Sequence, residues 1–98
     1  MTPEISVNSS GQFLVIGELN FQTVPELYNR GCQLIAASPK PIFDLQNISR
    51  SDNAAIALLI SWTRCAKRLS KTLRFINIPK QLLDVISLSN LKTILPIS

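Results

Sequence analysis

Residues 49–59 read SRSDNAAIALL, a polar loop that runs directly into small and branched apolar residues. Ser51, Asp52 and Asn53 are side chains that satisfy the unpaired N–H groups of a helix start, so a helix is expected from here to about residue 70. Ala54, Ala55 and Ala57, interleaved with Ile56, Leu58 and Leu59, make its first two turns apolar nearly all round. One side of such a helix can face a sheet, and the remainder needs another cover. The alanines either pack beneath a neighbouring helix or leave room for another surface to approach; the pattern alone favours neither.

Upstream, residues 12–19 (QFLVIGEL) form a continuous apolar run bounded by Gly11 and Asn20, which reads as a strand covered on both faces. Residues 4–8 (EISVN) supply the other arm of a hairpin across Ser9, Ser10 and Gly11. In residues 20–38, Thr23 can cap a helix and Pro25 suits its first turn. Val24, Leu27, Tyr28, Cys32, Leu34 and Ile35 then recur at helical spacing, up to a stop before Pro39. Residues 40–48 (KPIFDLQNI) give a second core strand, with Pro41 at its start and Asp44 at its carboxyl end. Downstream, residues 72–78 (TLRFINI) read as a strand, residues 79–89 as a helix begun by Pro79, and residues 90–98 as a short apolar element. The order β-β-α-β-α-β-α places the chain in the α/β class: a mixed, mostly parallel sheet of four or five strands with an N-terminal hairpin and three to four helices packed on it.

A length of 98 residues corresponds to one small domain, and 46% apolar against 16% charged residues separates the chain from disordered sequences. The longest apolar run, residues 54–62, spans nine positions and includes Ser61, whereas a membrane-spanning helix needs about 20. The opening MTPEISVNSSG carries an acid and no apolar segment of the secretory kind, so a cytoplasmic location is expected. Cys32 and Cys65, on two separate helices and with no histidine in the chain, read as buried free thiols rather than a metal site. The net charge of +4 is uneven, with Arg64, Lys67, Arg68, Lys71 and Arg74 crowded together. Cations near a helix C-terminus complement its dipole; the functional reading is an acidic protein partner or an anionic surface. No aromatic residues alternate with these bases, and nucleic acid is not the expected partner.

Chemistry is sparse. Without histidine or a glycine-rich phosphate loop, and with six acids in all, Asp44 and Asp52 are the only carboxylates placed where they could meet. Strand carboxyl ends are where open α/β sheets hold ligands. The simpler reading is that Asp52 starts a helix and Asp44 ends a strand. No catalytic residue, metal or cofactor is therefore expected.

Two segments carry a resemblance. GELNFQTVPEL (residues 17–27) and FDLQNISRSDNAAIALLI (residues 43–60) resemble the hallmark segments of STAS domains, the family of anti-sigma-factor antagonists. Those antagonists have Asp-Ser-Ser-Gly-Leu at the helix start and are phosphorylated on the second serine. Here the segment is Asp52, Asn53, Ala54, Ala55 and Ile56, so the phosphosite is filled by Ala54, which has no hydroxyl. The chain is more similar to the MlaB branch, whose pattern at this point is Ser-Arg-x-Asp-Thr-x-Gly-Leu-Ala-Leu-Leu. Ser49, Arg50, Asp52, Ala57, Leu58 and Leu59 match it, whereas Asn53 replaces the threonine and Ala55 the glycine. Tyr28 and the closing Leu95-Pro96 extend the likeness over nearly the whole chain.

The resemblance implies a non-catalytic subunit that binds the cytoplasmic ATPase of an Mla-type phospholipid-transporting ABC complex, and through it the permease, in the service of outer-membrane lipid asymmetry. Such a protein is peripheral to the inner membrane through its partner and needs no insertion of its own. The contacts implied are Tyr28, Arg50, Ser51, Asp52 and Asn53. The alternative is an anti-sigma-factor-antagonist-like signalling protein in which Ser49 or Ser51 takes the phosphate.

Overall fold

The computed structural model of the protein describes residues 3–97; Met1 and Thr2 of the acidic opening segment and Ser98 of the tail lie outside the described residues. Strands β1 (Glu4–Val7) and β2 (Phe13–Leu19) form the antiparallel hairpin. Its turn is closed by Asn8, whose side-chain oxygen accepts the N–H groups of Ser10 and Gln12, and by Gly11 at φ 80°. Helix α1 (Val24–Ala37) leads to β3 (Ile42–Asp44), which runs parallel to β2. Strand β4 (Ile48–Ser51) then pairs with the far end of β2, helix α2 (Asn53–Arg68) follows, and β5 (Arg74–Ile76) lies parallel to β3. Helix α3 (Lys80–Leu88) and a turn-rich tail complete the chain, the tail adding a bridge from Ile97 to Phe75. The mixed sheet of five strands and the three helices among the described residues match the expected class.

Three local expectations need correction. The strand expected over residues 40–48 is confined to Ile42–Asp44, and Ile48 instead opens a separate strand that includes residues 49–51, read as loop: Ile48, Arg50 and Ser51 pair with Gly17, Glu18 and Leu19 across a register shift. β2 is not covered equally on both faces; Phe13, Val15, Gly17 and Leu19 are buried while Leu14, Ile16 and Glu18 are partly or fully exposed, the alternation of a sheet with one core face. Thr23 occupies the N-cap position of α1 without capping it by its side chain. Its backbone is already α-like, and its hydroxyl donates to Glu18 O at 2.9 Å and accepts Asn20 N–H at 3.0 Å.

The core is built around Trp62. Its indole stacks on Phe43 with ring centroids 4.3 Å apart and an interplanar angle of 9°, and Phe43 in turn meets Phe13 and Phe75. Indole Nε1–H donates to the carbonyl of Tyr28 at 3.2 Å, which joins α2 to α1. Gly31 makes this approach possible, since a Cβ there would fall 2.2–2.5 Å from indole atoms. Cys65 is buried next to this junction and Cys32 half-buried, both as free thiols. Among the described residues no helix is long and apolar enough to cross a membrane.

Candidate functional site

Strand β4 delivers the chain to the start of α2. Asp52 N–H donates to Leu19 O at 3.2 Å, extending the β2–β4 ladder by one bond, and the Asp52 carboxylate accepts Ala54 N–H at 2.8 Å. That bond fills one of the open donors of the first turn and places the acid at the positive end of the helix dipole. Asn53 follows at the first helical position, exposed, with Ser49, Arg50 and Ser51 exposed on β4 before it. Arg50 sits opposite Glu18 in the ladder, yet no ion pair joins them.

Ser51, Asp52 and Asn53 line one wall of a groove of about 270 Å³ whose other wall is α3, through Gln81, Leu82 and Val85, with Ile56 between them. Exposed apolar side chains occur on α3 and just beyond β2. Val85 and Leu88 on α3 are 39% and 85% exposed, and Phe21, two residues beyond the β2 residue that pairs with Ser51, is 73% exposed. Sequence reasoning missed Phe21 and α3. Phe21 carries one readable signal, an aromatic stranded between Asn20 and Thr23 in a turn; the α3 contribution arises only from tertiary packing.

The alanines divide. Ala54 and Ala55 are 1% and 0% exposed and pack inward, so only Ala57 contributes to the outer surface. Ala54, the residue that the sequence resemblance aligns with the phosphorylated serine, thus presents a buried methyl group. Nearby hydroxyls that reach solvent belong to Ser49 and Ser51.

Tyr28 is placed elsewhere, half-buried on α1 beside the C-terminal half of α2, where its hydroxyl accepts from Arg68 Nη2 at 3.5 Å. The sixteen residues from Asn53 to Arg68 rise about 22 Å, so the Tyr28 hydroxyl beside Arg68 lies up to that distance from the groove. A standard interface of about 800 Å² per partner is roughly 30 Å across and spans that distance. Beside Tyr28, burial and the neighbouring Cys65 push the Cys32 thiol above its ordinary value, and Cys32 in turn raises the Tyr28 hydroxyl.

Asp44 and Asp52 are not brought into one site. Asp44 is buried at the end of β3, where its two oxygens accept Gln46 N–H at 2.9 Å and Asn77 Nδ2–H at 3.2 Å. It ties the ends of β3 and β5 together while Asp52 serves the helix. Among the described residues no group of three potential metal-ligating side chains converges.

Solved structures place this arrangement in a known fold. SpoIIAA, an anti-sigma-factor antagonist solved in its unphosphorylated form, superposes with a TM-score of 0.65 at 15% identity, over 87% of this chain and 81% of that one. A Thermotoga maritima protein assigned as an anti-sigma-factor antagonist gives 0.75 at 13% identity, over 97% and 84%. A STAS-domain protein from Planctomyces limnophilus gives 0.70 at 10% identity, over 97% and 87%. No curated protein matches the sequence. The sequence profile of the family described as "Mlab, STAS domain" matches residues 7–96, nearly the full length, and the chain belongs to that family.

Proposed function

We propose that this chain is a non-catalytic binding subunit that docks on the cytoplasmic ATPase of an Mla-type phospholipid-transporting ABC complex and supports its assembly or activity. On this reading it sits at the inner membrane through that partner and contributes to outer-membrane lipid asymmetry. Family membership supports the partner class. The observation that carries the docking reading is the α2 start itself: its polar cap is satisfied within the chain, yet Val85 across the groove is open to solvent, as are Leu88 on the same helix and Phe21 just beyond β2. A buried aromatic anchor ringed by polar groups is the usual makeup of a protein interface. The chemistry of ATP then belongs to the partner.

The alternative is a signalling antagonist resembling the solved neighbours. The exposed hydroxyls of Ser49 and Ser51 favour it, because a phosphate there would sit beside a helix N-terminus. Affinity purification of the tagged protein from native membranes in mild detergent separates the two. Recovery of an ABC ATPase with its permease supports the transporter subunit; recovery of a kinase-like anti-sigma factor, with phosphate on Ser49 or Ser51, supports the antagonist.

A further inference from the structure

The C-terminal half of α2 and the tail enclose a second groove, of about 400 Å³ and larger than the one at the helix start. Ala66, Leu73 and Leu95 give it a buried apolar floor, and Ile94, 53% exposed, stands on its tail side. Lys67, Lys71, Thr72 and Thr93 supply its polar lining. Among the described residues no hydrogen bond or ion pair engages the ammonium group of either lysine or the hydroxyls of Thr72 and Thr93.

The walls are set by backbone bonds. Ser70 takes φ 56° and Lys71 N–H turns back to Ala66 O at 2.8 Å, a helix-ending motif that directs Lys71 to the groove. On the other side Phe75 N–H donates to Pro96 O at 2.9 Å and Leu95 N–H to Leu91 O at 3.0 Å, holding the tail in place. The charged residues lining it, Lys67 and Lys71, have one sign, and along the chain Arg64, Arg68 and Arg74 flank them with no acid between Asp52 and Asp84. A preformed apolar hollow with two unengaged ammonium groups and two hydroxyls suits a ligand with an anionic head and an apolar tail. Its volume lies in the range of small-molecule sites, roughly 300–1,000 Å³, and not in that of a protein interface.

We infer that this groove is a binding site for a small amphiphilic anion, a phosphate or carboxylate head on a short hydrocarbon tail, with Lys67 and Lys71 at the head and Ala66, Leu73, Ile94 and Leu95 along the tail. The site lies at the opposite end of α2 from the docking groove and does not depend on the reading of that groove. A single-chain lipid released from a membrane and a cytosolic apolar phosphate share this chemistry.

Amide-resolved NMR titration of the full chain with octyl phosphate, below its micelle concentration, tests the site. Saturable shifts at Lys67, Lys71, Thr72, Thr93 and Leu95 are expected, weakening with salt and falling about tenfold or more in the Lys67→Gln/Lys71→Gln variant, since charge-assisted bonds to the head are lost. The variant's unshifted remaining amides report that it is folded. Inorganic phosphate should bind far more weakly and octyl glucoside without dependence on the lysines. Equal binding of octyl glucoside, or no saturable shift in this groove, overturns the inference. Vesicles of phosphatidylcholine with phosphatidylglycerol distinguish the sources. Extraction of lipid that then occupies the groove assigns a membrane source, and failure to extract with octyl phosphate still bound assigns a cytosolic one. Adherence to the vesicles without octyl phosphate binding replaces the site with a mere charged surface.

Discussion

The carboxylate of Asp52 accepts the backbone N–H of Ala54 at 2.8 Å, so the residue that starts helix α2 also holds the backbone of the buried alanine in its first turn. Ala54 is thus a buried methyl group whose N–H is held by a neighbouring acid.

Removing that cap has a defined cost. Asp52→Ala should destabilise the fold by about 1 kcal/mol, within a range of about 0.5–2, and Asp52→Asn by much less, because asparagine caps nearly as well. Urea unfolding of the three proteins checks both values. Equal loss in the two variants would mean that the capping bond is not what Asp52 contributes.

Gly31 and Trp62 should be energetically coupled. Gly31→Ala places a methyl 2.2–2.5 Å from a rigid indole that is itself stacked on Phe43. Overpacking of this kind costs about 1–3 kcal/mol, well beyond the gain of up to about 1 kcal/mol in helix propensity. In a Trp62→Leu background the clash is absent, and the same substitution should be near neutral or stabilising. A double-mutant cycle by denaturant unfolding reads the coupling; additive costs would contradict the packing described.

The alkaline limit of stability should involve Cys32. Its thiol is raised above 9.0, chiefly by burial, so the folded state holds the proton more tightly than the unfolded chain. The associated stability is fully present below the unfolded value and is lost as pH rises through the folded one. Cys32→Ala should therefore flatten the decline of stability above pH 9 while leaving its slope near neutrality unchanged, as thermal unfolding from pH 7 to 10.5 would show. Tyr28 is raised in the same direction by its bond with Cys32.

How much of this was legible depended on which forces set each element. Helices α1 and α2 announced themselves through Pro25 and Asp52 and through apolar spacing, and β2, β3 and β5 through runs of branched and aromatic residues. β4 did not, because its Ser49, Arg50 and Ser51 all face solvent and only main-chain pairing with β2 makes them a strand. Ser51, Asp52 and Asn53 were readable as a helix start. Their apolar surroundings were not, since Val85 and Gln81 reach the groove from α3 through packing distant in sequence. The inward turn of Ala54 and Ala55 was equally hidden, because a small side chain fits a buried or an open face alike.

The most direct test of the docking account compares wild type with Asn53→Arg, Val85→Glu and Lys67→Gln in affinity purification from native membranes. The first two substitutions add charge at exposed positions beside the α2 start, and the third lies at the far end of the helix. The account predicts an ABC ATPase and its permease with wild type and Lys67→Gln, and a loss of about tenfold or more with Asn53→Arg and Val85→Glu, the scale expected for a buried interface contact. Undiminished recovery with both charged variants, or no ABC ATPase with wild type, would contradict it.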